Sequence, residues 1–143
     1  MLGVVLIGFI AFTIWLNCPS KILLRRKAES INAEAIYTAM SCGPTTSDNY
    51  TLYVVKAGQN DFKESDAVFN ATNAENIQIR WINQFLVVSY YEGADIRHFR
   101  NSIWVDNVGL IHILLVDDDA INIYQNLSEL SGRKKKWGAL SFP

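Results

Sequence analysis

The chain is predicted to be mainly β, of α+β class: an N-terminal membrane helix, a small antiparallel β-sheet or sandwich domain, and a short C-terminal helix. Three observations predict it. Leu2 to Leu16 is an uncharged apolar run. After Asn32, aromatic and β-branched residues dominate and turn-forming Gly, Pro and Asn recur about every ten residues. Ala120 to Leu130 carries apolar residues at helical spacing behind three aspartates. With 143 residues the chain has room for one domain beyond the apolar run. The expected division is 1–19 as a transmembrane anchor or signal segment, 20–32 as a juxtamembrane linker or helix, 33–132 as the β domain and 133–143 as a basic tail.

In the first element, Leu2, Leu6, Phe9, Phe12 and Trp15 are the anchor residues. Each central Leu, Ile, Val or Phe favours the bilayer by about 0.3 to 0.6 kcal/mol. A helix of this length spans about 22 Å at 1.5 Å per residue, short of a hydrocarbon core of about 30 Å unless Met1, Asn17 and Cys18 extend it. No Lys or Arg precedes the run and no Ala-x-Ala follows, which favours an uncleaved anchor over a cleaved signal peptide or a buried core helix. Lys21, Arg25, Arg26 and Lys27 follow it. The positive-inside rule would therefore hold the domain in the cytoplasm, whereas the short apolar start resembles an export segment, so the side stays open here.

The next elements read as strands, with Ser20 to Ser30 taken as a juxtamembrane helix or stalk. Ala33 to Cys42 and Tyr50 to Lys56 are bounded by Gly43-Pro44 and Gly58, and Ala67 to Ala71 is a short strand. Asn76 to Trp81 alternates, with Ile77, Ile79 and Trp81 on one face and Asn76, Gln78 and Arg80 on the other. Asn83-Gln84 then joins it to Phe85–Tyr91, which makes residues 76–91 a hairpin. Ile96 to Arg100 and Ile103 to Val105 are brief candidates. Val108 to Val116 is apolar on both faces, the mark of a central strand. Asp117 to Asp119 supply an N-cap for the last helix, whose stripe is Ile121, Tyr124, Leu127 and Leu130, ended by Gly132.

Composition excludes several classes. The four Trp, six Tyr and seven Phe, with 19% charged residues, are foreign to a disordered or acidic solvating chain. Thirteen basic against fourteen acidic residues leave no excess for phosphate neutralisation, so no nucleic-acid partner is expected. Two histidines fourteen positions apart do not make a metal site, and Asp117 to Asp119 lacks the spacing of a calcium loop. No metal or cofactor is therefore expected. Asn49-Tyr50-Thr51, Asn70-Ala71-Thr72 and Asn126-Leu127-Ser128 match the glycosylation sequon. Arg133 to Lys136 beside Trp137 reads first as a solvated tail and second as a contact for anionic headgroups.

The most unusual pentapeptide beyond the apolar run is Cys42-Gly43-Pro44-Thr45-Thr46, expected as a strand-end turn and binding loop. Read as chemistry, Cys42 would be a nucleophile beside His98 or His112, with Asp95 or Asp106 orienting the imidazole. Read as structure, it is a small buried hydrophobe. Pairing with Cys18 is not expected, since it needs the end of the anchor to touch the domain.

In order, the apolar start, the strand into Cys42-Gly43-Pro44-Thr45-Thr46, Val68-Phe69, Ile77-Gln78-Ile79-Arg80-Trp81 and Leu86-Val87-Val88-Ser89-Tyr90 resemble a group of small uncharacterised bacterial envelope proteins. That group carries a Cys-Gly-Ala-Thr-Thr-like motif and a V-x-V-x-W strand. The likeness covers residues 33 to 91 and departs at Pro44, where alanine is usual. It implies a secreted or membrane-tethered domain without assigned activity, held at the bacterial inner membrane with its domain in the periplasm. The expected function is a binding or structural module whose partners are the membrane and another envelope protein, through an exposed sheet edge or the loop from Cys42 to Tyr50. Two other readings are an immunity-like protein that meets a basic toxin with Asp61 to Asp66, and a thiol-dependent enzyme using Cys42.

Overall fold

Alternating apolar residues build two sheets that close over one core. The computed structural model describes residues 18–91 and 93–117. Among these, nine strands run in order: β1 (Ser20–Lys27), β2 (Ala33–Met40), β3 (Asn49–Lys56), β4 (Ala67–Thr72), β5 (Gln78–Ile82), β6 (Phe85–Tyr90), β7 (Asp95–Phe99), β8 (Ser102–Val105) and β9 (Gly109–Asp117). A single 3-10 turn, Glu64–Asp66, precedes β4. One sheet has the order β1-β2-β3-β4-β7 and the other β5-β6-β9-β8.

The first sheet is antiparallel throughout. The second is mixed, because β6 and β9 pair in parallel, Phe85 beside His112 and Val88 beside Leu115. This corrects the expectation of a purely antiparallel sheet. The chain between them leaves for the first sheet as β7 and returns as β8, and that detour lets β9 run alongside β6 in the same direction.

Period-2 alternation decides which side chains enter the core. Tyr37 and Leu52 face each other across the β2–β3 ladder, Leu52 faces Phe69 across β3–β4, and all three are buried. From the other sheet Ile79, Leu86, Val88, Ile103, Ile111 and Ile113 meet them. β9 is central, as its long apolar run suggests, but only one face of it is buried: Ile111 and Ile113 point inward while Leu110, His112 and Leu114 are exposed.

The outer face of the first sheet is also covered. Ile36 and Val55 project away from the core yet are buried. The segment between β3 and β4 folds back onto this side, with Phe62 packed on Tyr53 at 4.6 Å between ring centroids. Glu34 on the same face accepts from Arg25 Nη1 at 3.1 Å and from the Gly58 amide at 3.2 Å, and Arg25 Nη2 donates to Asn60 Oδ1 at 3.0 Å. The Lys63 amide donates to Asp66 Oδ2 at 2.8 Å, which fixes the 3-10 turn.

Residues 20–27, expected as a linker or helix, form β1. Leu24 packs against the core, Arg25 is held by Glu34, and the remaining cations lie along an edge strand, where charge discourages unwanted strand pairing. Four basic residues among eight masked this strand in the sequence. The second correction follows from it. Cys18 and Cys42 are joined in a disulfide, because the β1–β2 ladder brings Ser20 opposite Met40 and the two cysteines lie two residues beyond. Of the segment 1–19 expected as an anchor, residues 1–17 lie outside the described residues, as does the C-terminal helix expected over 120–130. Among the described residues no helix is long and apolar enough to cross a membrane.

Candidate functional site

An open edge at β5 is the most distinctive surface. The two-residue Asn83-Gln84 turn, with Asn83 in the left-handed region at φ 55°, makes Ile82 and Phe85 the hydrogen-bonded pair that closes the hairpin. Bonded pairs then recur at Arg80–Val87 and Gln78–Ser89, so Ile79 and Trp81 turn their backbone N–H and C=O groups away from β6. Among the described residues no strand pairs with β5 on that side.

Across the open side lies β1, the edge of the other sheet. Side chains bridge the two edges at two points: Trp81 Nε1 donates to the Arg26 carbonyl at 2.8 Å, and Ser30 Oγ donates to the Asn83 carbonyl at 2.8 Å. Around these ties a half-open groove of about 1190 Å³ runs over β5, with Arg26, Lys27, Arg80 and Glu29 among the residues that line it and Ile82, Val87 and Leu114 as its apolar wall. Among the described residues, none of Arg26, Lys27 and Arg80 is in an ion pair. Among the described residues of the lining, three cations against one carboxylate give the groove a positive character.

Beside the groove, the outer face of the second sheet is unusually apolar. Ile82, Leu110 and Leu114 are about half exposed and Trp104 is 69% exposed. His112 stacks on Phe85 of the neighbouring strand with centroids 5.7 Å apart. His112 is thus both on the surface and partnered across the sheet.

The predicted binding loop Cys42 to Thr46 is largely exposed and held at both ends. Cys42 is in the disulfide, Gly43 takes φ +133°, and the Thr46 amide and hydroxyl both donate to the Gly43 carbonyl, at 3.3 and 3.1 Å. A residue with a Cβ at position 43 would be strained in that conformation. Among the described residues there is no free cysteine, so in this state Cys42 offers no thiol. Nor does the fold gather its expected helpers. His98 lies on β7, at the far edge of the first sheet from β1, His112 lies on the other sheet, and Asp95 accepts from Thr72 Oγ1 at 3.4 Å.

The remaining expected sites are engaged structurally or fall outside the description. Among the described residues no group of three His, Cys, Asp or Glu could hold a metal ion. In the Asp61 to Asp66 loop, Asp66 caps the 3-10 turn, Arg100 Nη1 donates to the Ser65 carbonyl at 2.8 Å, and Phe62 packs on the sheet. Asn70 Nδ2 donates to Thr51 Oγ1 at 2.8 Å and Asn49 Oδ1 is enclosed, so both sequons sit inside strands with their amides confined. Asp118, Asp119, Asn126 and the Arg133 to Trp137 cluster lie outside the described residues.

Sequence reasoning missed a buried tyrosine pair. The Tyr37 and Tyr50 rings stack 5.9 Å apart, and the Tyr37 hydroxyl donates to the Ala74 carbonyl, which ties the 73–77 connection to the first sheet. Burial, and then Tyr50, push the Tyr37 phenol far above its ordinary range. Burial also raises Tyr50, helped by Glu75 and Asp48. Both phenols are therefore neutral at physiological pH and act as packing and hydrogen-bonding groups.

Comparison with protein-family models, curated proteins and solved structures finds no match for this chain.

Proposed function

We propose that this protein is an envelope binding module, tethered to the bilayer by Leu2 to Leu16 and exposed on the oxidising side of the membrane. The observation that carries this reading is the Cys18–Cys42 disulfide, two positions after the last residue of the apolar run. Disulfides persist in the periplasm and other exported compartments and are rare in the cytosol. Of the cations that argue for a cytoplasmic domain, all four belong to folded strand β1 and Arg25 is paired there with Glu34, so they have a structural role apart from setting orientation. The resemblance of residues 33 to 91 to small envelope proteins points the same way. Binding is favoured by the open β5 edge, its basic groove and the apolar outer sheet face.

The test is sidedness. The full chain with a C-terminal reporter is expressed in bacteria and treated with protease after only the outer membrane is opened. Digestion of the domain is the expected result. Protection until the inner membrane is broken overturns the reading.

A further inference from the structure

The β5 edge, the basic groove around it and its apolar wall together specify a kind of partner. We infer that the β5 edge accepts an extended acidic segment of another protein as an added strand; this rests on the binding-module reading above. An added strand needs three things: unpaired backbone groups, room beside them, and side-chain surfaces on alternate sides. Ile79 and Trp81 supply the backbone groups, and the groove between β5 and β1 supplies the room. Alternate residues of the incoming strand fall on two surfaces. One set lies next to Gln78, Arg80 and Ile82 on the outer face, and the other lies beside Ile79 and Trp81 and faces β1, where Arg26 is the cation on the side of the second sheet. A cation therefore awaits each set, with Glu29 the only carboxylate in the lining among the described residues, and acidic side chains are complementary on both. Ile82 and Leu114 give an apolar neighbour to residues interspersed among the acids. A basic strand would meet like charge on both sides.

The test uses the ¹⁵N-labelled full chain in lipid nanodiscs and two ten-residue probes, one alternating Glu and Val and one alternating Lys and Val. The Glu probe is expected to slow hydrogen exchange of the Ile79 and Trp81 amides and to bind about tenfold more tightly than the Lys probe, with the preference weakened by salt. Arg26→Glu with Arg80→Glu, both at exposed side chains, should reverse the preference without changing the fold. Equal binding of the two probes overturns the inference and leaves the cations as guards against strand pairing. Exchange at Ile79 and Trp81 already slow without a probe also overturns it, in favour of an occupant from within this chain.

Photo-crosslinking from Gln78 and, separately, from Trp104 in intact cells separates this failure from that of the parent reading. A discrete adduct from Trp104 alone keeps the binding module and removes the β5 site. No adduct from either position removes both.

Discussion

Cys18 and Cys42 continue the β1–β2 ladder outward. Ser20 faces Met40, and two residues further along each chain the sulfurs are joined with the Cα atoms 4.5 Å apart, the spacing of a non-hydrogen-bonded pair. The bridge clamps the open end of a hairpin whose outer strand is a sheet edge. Closing a loop with a sequence separation of 24 restricts the unfolded chain enough to add about 3 kcal/mol. Cys18→Ala with Cys42→Ala is therefore expected to lower the free energy of unfolding in urea by about 3 kcal/mol, with exchange faster at β1 amides than at β9. A loss under about 0.5 kcal/mol would mean that the ladder alone holds the edge.

Tyr37→Phe keeps the ring stack on Tyr50 and removes the donor to the buried Ala74 carbonyl. The expected cost is about 1 to 3 kcal/mol, measured by denaturant unfolding at neutral pH. A pH dependence accompanies it. The folded-state pKa of Tyr37 lies above its unfolded value of 10.0, so the stability linked to its neutral phenol is complete below that pH and is lost as pH rises towards the folded value. Stability of the parent protein should fall between pH 10 and 11.5, and that of Tyr37→Phe should fall less steeply. Parallel declines would assign the alkaline transition to other groups.

The cover over the outer face of the first sheet depends on Glu34, which accepts from both Arg25 and the Gly58 amide. Glu34→Ala leaves those donors without their acceptor and should cost about 1 to 3 kcal/mol. Arg25→Ala should cost less, since its side chain is 31% exposed and the pair is partly screened. Hydrogen exchange at Gly58 and Phe62 reports the cover directly, and both amides should speed up in Glu34→Ala. Unchanged exchange would show that Phe62 on Tyr53 suffices.

The two faces of the sandwich give a contrast in the cost of truncating leucine. Leu52 is fully buried, and Leu52→Ala should lose about 2 to 5 kcal/mol. Leu110, on the outer face of β9, is 47% exposed, and Leu110→Ala should lose under about 1 kcal/mol. Equal losses in thermal unfolding would mean that the outer face is covered in the native protein.

Much of this β architecture is written in local sequence. The alternation from Asn76 to Trp81 and the Asn83-Gln84 turn give the β5–β6 hairpin, since both signals depend only on neighbouring residues. The apolar run from Val108 gives a central β9. What escaped is tertiary. β1 carries Lys21, Arg25, Arg26 and Lys27, whose charges hide the contribution of Leu24 to the core, and the neutralising partner Glu34 is visible only once the strands pair. The disulfide follows from β1, so missing one hid the other. Parallel pairing of β6 with β9 reflects a choice of neighbour made by the whole fold. The β5 edge was legible only as some exposed edge, because which backbone groups stay open depends on the register with β6 and on the position of β1.

The redox state of Cys18 and Cys42 in living cells tests the placement most directly. Cells expressing the full chain are quenched in acid, and thiols are tagged with a maleimide that adds mass, before and after reduction. No tagged cysteine is expected before reduction, and two are expected after it. Two tagged cysteines before reduction would contradict the placement, since they would mean that the domain folds in a reducing compartment without the bridge.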